Sequence, residues 1–430
     1  MTAEAARSPS AAVHRTIEAV WRIEQAKVIA GITRIVRDVG LAEEFAQEAL
    51  IAALRQWPVD GGPDRPAAWL TATAKRRAFD HLRRYKMLDR KHAEIGRELE
   101  EEQDPTAEIE EALDDQIGDD LLRLIFVSCH PVLSADARTA LTLKLLGGLS
   151  TEEIARAFLA PEPTIAQRIV RAKRALAEAN VAFEVPRGKE FAERLASVLE
   201  VIYLVFNEGY SATAGDDWMR PQLCEEAMRL GRILAELMPG EGEVHGLVAL
   251  MEIQASRARA RTGPNGEPVL LLEQNRALWD QILIRRGLAA LARAEAAGGP
   301  PGPYVLQASI AACHARARTA DATDWTRIAA HYSVLAVAAP SPVVDLNRAV
   351  ALSMAFGPAA GLQIVDELVE EGALKAYHLL PSVRGDLLFK LGRFAEAKAE
   401  FERAASMTRN ARERTLLLAR AAECRTQLTA

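Results

Sequence analysis

Apolar residues recur at helical rather than alternating spacing along most of the chain, and strand signals are scarce. From Pro66 onward, Leu70, Ala74, Ala78 and Leu82 follow one another at four-residue steps. That pattern predicts a helix with one buried stripe and charge on its other faces. Ile154, Ala155 and Phe158 form a short apolar group, and Ile165, Ile169, Ala172 and Leu176 a second one at helical steps. Gly147 and Gly148 stop the helix before the first group. Ser150, with Glu153 three residues on, supplies the hydroxyl and carboxylate that satisfy free N–H groups at a helix start. The turn Pro161-Glu162-Pro163 then separates two helices, so the stretch reads as a helix-turn-helix.

Beyond residue 180, paired helices broken by Pro and Gly recur at about the 34-residue period of tetratricopeptide repeats. Gly385, Gly392, Phe394, Ala397, Phe401 and Ala404 sit where two antiparallel helices need close approach and a plug, whereas 262–300 fits no register. The expected architecture is all-α: a disordered tail at 1–12, a helical domain at 13–92, a connector at 93–118, a helix-turn-helix domain at 119–180 and a repeat-like extension at 181–430. No apolar run approaches the length of a membrane span, and the opening MTAEAARSPS lacks an apolar signal region, so a cytoplasmic location without membrane contact is expected. Cys129, Cys224, Cys313 and Cys424 form no CxxC pair and are expected to be buried thiols.

The net charge of −6 hides blocks of opposite sign. Residues 75–91 hold eight basic side chains against two acidic ones, whereas 93–120 hold thirteen acidic ones against Arg97 alone. The second stretch reads as a flexible acidic connector. In the first, Arg76, Arg77, Arg83 and Arg84 can fork onto phosphates, with Asp80 on the same outward stripe. Trp69, Phe79 and Tyr85 are either stacking faces for unpaired bases or core residues. Opposite the apolar stripe of the second helix-turn-helix helix stand Thr164, Gln167, Arg168, Arg171 and Arg174, joined by Lys173 in a basic island fit for base edges and phosphates in a major groove. His245, His314, His331 and His378 lack metal-ligand spacing and read as satisfied core or surface histidines. No phosphate loop, nucleophile elbow or HExxH appears, so neither an enzyme nor a cofactor or metal is expected.

Two blocks resemble the extracytoplasmic-function (group IV) sigma factors of bacterial RNA polymerase. LAEEFAQEALIAALRQW at 41–57 looks like the family's polymerase-binding region, followed by PAAWLTATAKRRAFDHLRR, which looks like the helix that opens and reads the minus-ten element. GLSTEEIARAFLAPEPTIAQRIVRAKRAL resembles the helix-turn-helix that reads the minus-thirty-five element, with APEP where most members have a short Gly-containing turn. The remainder resembles the extension of a subgroup with a tetratricopeptide-like C-terminal region, through VIYLVFNEGYSAT, EVHGLVALMEIQASRARAR, EQNRALWD and SPVVDLNRAVA.

The resemblance implies core RNA polymerase and promoter DNA, both duplex and non-template single strand, as partners. Glu43, Glu44, Gln47 and Glu48 would bind the polymerase clamp helices. Arg76, Arg77, Asp80, Arg83 and Arg84 would hold the minus-ten strand, and the loop at 60–65 would read a flipped base. The extension is expected to regulate the sigma core in cis and to take a regulatory protein or peptide, with Asn207, Glu208 and Tyr210 as an anchor or ligand site. The rival reading is a stand-alone helix-turn-helix DNA-binding regulator with a repeat scaffold for protein partners.

Overall fold

The computed structural model describes residues 9–93, 117–158, 160–210, 219–263, 269–372, 374–408 and 411–429. Within them the regular structure is helical, with no β-strand. The acidic connector lies almost wholly outside the described residues. So do residues 1–8 of the expected tail, whose last four positions instead open the first helix.

The chain divides into two compact units, the first comprising Met1–Gly209 with Glu225–Leu230. In it α1 (Pro9–Val36), α2 (Val39–Asp60) and α3 (Pro66–Ala93) pack on one another, with Leu70, Ala74 and Ala78 wholly buried as their spacing predicts. Four further helices follow: α4 (Ile117–Ser128), α5 (Ala135–Leu145), α6 (Thr151–Ala157) and α7 (Glu162–Glu178). Because α1 packs on α4 as well as on α2 and α3, the two expected domains join in one unit. The capping box forms: Ser150 Oγ accepts from Glu153 N at 3.1 Å, and the Glu153 carboxylate accepts from Ser150 N at 2.7 Å.

The expected boundary at 180/181 does not coincide with the edge of this unit. The next helix, α8 (Lys189–Tyr210), ties back onto the helix-turn-helix domain: Arg194 donates to the Phe126 carbonyl at 3.0 Å and Ser197 to the Cys129 carbonyl at 2.6 Å. From α9 (Pro221–Leu237), Arg229 donates to the Leu146 carbonyl at 2.5 Å. These bonds satisfy carbonyls at helix ends, where intrahelical partners run out.

The second unit comprises Tyr210–Cys224 with Gly231–Ala430. After α10 (Gly242–Ala255), two 3-10 turns, Ala258–Ala260 and Arg276–Leu278, occupy the stretch without register, and α11 (Gln281–Ala296) packs back on α10. The remaining helices are α12 (Pro303–Arg316), α13 (Trp325–Ala338), α14 (Pro342–Phe356), α15 (Pro358–Glu370), α16 (Leu379–Lys390), α17 (Phe394–Met407) and α18 (Ala411–Thr429). Each of these packs on the next. Phe401 is buried against Gly385, where a Cβ would lie 3.0 Å from its ring. Gly392, at φ +74°, takes the left-handed conformation that ends α16. No described helix is long and apolar enough to cross a membrane.

Candidate nucleic-acid interface

Two basic helices of the first unit carry the candidate contacts, and their surroundings differ. On α3 the apolar stripe faces inward, so Arg76, Arg77, Arg83 and Arg84 are exposed and Asp80 is half-buried. Among the described residues Arg76, Arg83 and Arg84 form no ion pair, while Arg77 lies 3.5 Å from Glu48. Phe79 is buried, and Trp69 is half-buried with its ring edge-on to Trp57 at 5.4 Å, so both serve the core. Tyr85, 59% exposed, is the aromatic left on the surface beside the arginines.

On α7, Ile165, Ile169, Ala172 and Leu176 are buried, and Thr164, Gln167, Arg171 and Arg174 are exposed. A groove between α5 and α7 is lined by Ser134, Ala137, Thr164, Gln167, Arg168 and Arg171. Acidic neighbours occupy part of this face: Arg168 pairs with Asp136 at 3.0 Å, and Arg174 with Glu178 at 2.6 Å.

The structure corrects two expected site residues together. Glu43, expected on the outward face of α2, is only 4% exposed. Its carboxylate pairs with Lys173, lies 3.9 Å from the Lys144 ammonium and accepts a hydrogen bond from Gln47 at 2.9 Å. Lys173, expected on the DNA face of α7, is thereby half-buried against α2. The cause is chemical: a carboxylate that leaves water needs opposite charge beside it, and two lysines supply it. Glu44 and Gln47 remain exposed, and Glu48 faces Arg77.

A second charged contact joins the same two parts of the unit. Arg34 of α1 lies 3.3 Å from Asp120 of α4, which also pairs with Arg123 at 2.7 Å. Burial nevertheless holds the Asp120 carboxyl above its usual pKa, outweighing both guanidiniums. Next to this core, burial pushes the Cys129 thiol up to about 11, so it is an unreactive packing group. All four cysteines are buried and unbridged.

Of the expected anchor residues on α8, Asn207 and Glu208 are half-buried and Tyr210 is buried. The tyrosine hydroxyl accepts from Arg257 at 2.9 Å, and its carbonyl accepts from Arg261. His245 bonds the Pro239 carbonyl at 3.0 Å, whereas buried His314 has an Nδ1 without a hydrogen-bond partner, contrary to the expectation of satisfied histidines.

Comparison with known proteins fits this geometry. Residues 21–87 match the model of sigma-70 region 2 and residues 123–176 that of sigma-70 region 4, while 194–295 match a family of unknown function, DUF6596. The chain is 45% identical over 389 residues, 90% of each chain, to an uncharacterized protein of Rhizobium meliloti. It is 32% identical over 157 residues to the RNA polymerase sigma-H factor of Pseudomonas aeruginosa, covering 36% of this chain and 81% of that protein. A probable ECF RNA polymerase sigma factor, SigI of Mycobacterium tuberculosis, is 27% identical over 172 residues, 40% of this chain and 58% of that protein. No solved structure matches. The two matched regions hold the two basic helices, α3 and α7, and with them the chain belongs to the sigma-70 family of RNA polymerase sigma factors.

Proposed function

We propose that the chain is a group IV, extracytoplasmic-function sigma factor that works in the cytoplasm on core RNA polymerase and promoter DNA. Arg76, Arg77, Asp80, Arg83 and Arg84 hold the non-template strand of the minus-ten element. Thr164, Gln167, Arg168, Arg171 and Arg174 read the minus-thirty-five duplex. Glu44, Gln47 and Glu48 meet the polymerase clamp helices. Glu43 and Lys173 join these surfaces only after they part from each other. The observation that carries this reading is the exposure of Arg76, Arg83 and Arg84 on α3, with no ion pair among the described residues, in the same unit as the helix-turn-helix.

Magnitude places polymerase in the mechanism. Unstacking costs roughly 1.4 kcal/mol per step, so opening about six steps costs on the order of 8 kcal/mol, more than a few solvated arginines contribute. The helical second unit is, on this proposal, a tetratricopeptide-like scaffold that regulates initiation in cis and takes a regulatory peptide. The succession of packed neighbours from α12 to α18 supports it.

The test is transcription by core polymerase, with and without the full chain, across a library of promoter fragments. Chain-dependent initiation at a defined promoter class is expected, and its absence across the library sinks the proposal. Sequence-specific footprinting by the chain without polymerase would instead favour a stand-alone regulator.

A further inference from the structure

The second unit contains a cluster of cations that the polymerase reading does not use. Arg257 follows α10, and Arg276 and Trp279 belong to the irregular stretch before α11. Arg257 lies between two aromatic rings, its guanidinium carbon 5.9 Å from the centroid of Tyr210 and 5.9 Å from that of Trp279. On the Tyr210 side Arg261 stacks at 3.6 Å, and on the Trp279 side Arg276 stacks at 4.9 Å. Three guanidiniums thus share two ring faces.

Arg276 is spent on the fold: it donates to the carbonyls of His314 and Ala317 at 2.6 and 2.7 Å and to the Thr323 hydroxyl at 3.0 Å. Arg257 is not. Its Nη2 reaches the Tyr210 hydroxyl and, at 3.5 Å, Gln254, and among the described residues its other N–H groups have no acceptor. Neither Arg257 nor Arg276 forms an ion pair among those residues. Three further polar atoms of the cluster are buried without hydrogen-bond partners: Nε of Arg276, the indole N–H of Trp279, 3% exposed, and Nδ1 of His314, 8% exposed. Burial, then Arg257 and Arg276, push the His314 imidazole down to about 4, so its ring adds no charge at neutral pH.

Arg257 and Arg276, two like charges held partly out of water with no ion pair among the described residues, are costly to keep together unless an opposite charge joins them. A guanidinium with open N–H groups, flanked by two more and set on aromatic faces, matches an oxyanion that accepts several hydrogen bonds. We infer that Arg257, flanked by Arg261 and Arg276 over Tyr210 and Trp279, forms a binding site for a small phosphate-type oxyanion. Partial burial of the three arginines favours a small molecule over a nucleic-acid backbone, which needs an open track. Inorganic phosphate and the phosphate monoester of a small metabolite share this chemistry.

The full chain titrated calorimetrically with inorganic phosphate, glycerol phosphate and acetate, at constant ionic strength, tests the inference. Saturable binding of phosphate or glycerol phosphate is expected, with acetate at least tenfold weaker. Tighter binding of glycerol phosphate would identify a monoester as the source, and tighter binding of phosphate the free ion. Arg257→Gln should weaken binding at least tenfold without lowering the unfolding midpoint of the phosphate-free protein, because it relieves the repulsion between Arg257 and Arg276. A guanidinium serving only the fold predicts the reverse, a lower midpoint with unchanged phosphate binding, and would overturn the inference. So would the absence of saturable binding, or acetate binding as well as phosphate. Should Arg257→Gln fail to fold, Arg257→Lys, which keeps the charge and removes the fork, takes its place with the same two readouts.

Discussion

Helices α3 and α7, proposed to meet the minus-ten strand and the minus-thirty-five duplex, have similar basic content but different neighbours. On α3, Arg76, Arg83 and Arg84 stand in solvent with no ion pair among the described residues. On α7, Arg168, Lys173 and Arg174 each face a carboxylate: Asp136, Glu43 and Glu178. A solvated cation meets a phosphate at little cost beyond ordering its side chain. A paired one must first leave its partner, so counting basic residues overstates what α7 offers DNA and describes α3 more faithfully.

The largest expected effect lies on the open helix. Replacing Arg76, Arg83 and Arg84 together by Ala should lower open-complex formation about a hundredfold, as three charge-assisted contacts of about 1 kcal/mol or more each would require. A permanganate footprint of the melted strand reads it, and an effect under threefold would break the contrast. Next comes Glu43→Ala, expected to cost about 2 kcal/mol of thermal stability by leaving Lys173 and Lys144 without their carboxylate. Combined with Lys173→Ala the loss should be smaller than the sum, since the two changes remove one interaction.

The same pair shapes the salt response. With Arg168, Arg171 and Arg174 on phosphates, log affinity should fall with log salt at a slope of roughly −2.7. Glu43→Ala should steepen it to roughly −3.6 by releasing Lys173. An unchanged slope would mean that Lys173 stays off the DNA even when free. Arg168→Ala comes next, weakening upstream duplex binding about fivefold to tenfold while leaving core-polymerase binding intact. Equal loss of both would remove its assignment to DNA. Smallest is Glu178→Ala: both partners of its pair with Arg174 are well exposed, so melting should move by less than about 0.5 kcal/mol.

Local pattern carried much of the architecture into the sequence. The spacing of Leu70, Ala74 and Ala78, and of Ile165, Ile169, Ala172 and Leu176, identified buried stripes because a helix face repeats within four residues. Ser150 and Glu153 marked a helix start for the same local reason. The fate of Glu43 was not legible. An acidic residue in a Glu-Glu-Phe-Ala-Gln-Glu run reads as solvated, and its burial depends on Lys173, 130 positions away. Leu82, the last member of the α3 stripe, is only half-buried.

The arginine cluster of the extension escaped for a related reason. Tyr210, Arg257, Arg276, Trp279 and His314 come from widely separated stretches, and Arg276 and Trp279 lie in 262–300, which fits no repeat register. The available hint was compositional: Arg257, Arg259 and Arg261 alternate in a stretch with no acidic residue among them.

One carboxylate with two claimants has a thermodynamic consequence. If the clamp helices draw the α2 face away from α7, the ammonium of Lys173 becomes available to the promoter, and reciprocity then requires that upstream DNA strengthen the grip on polymerase by the same factor. Assembly order would then leave the final affinity untouched, while either macromolecule alone would meet a reluctant partner.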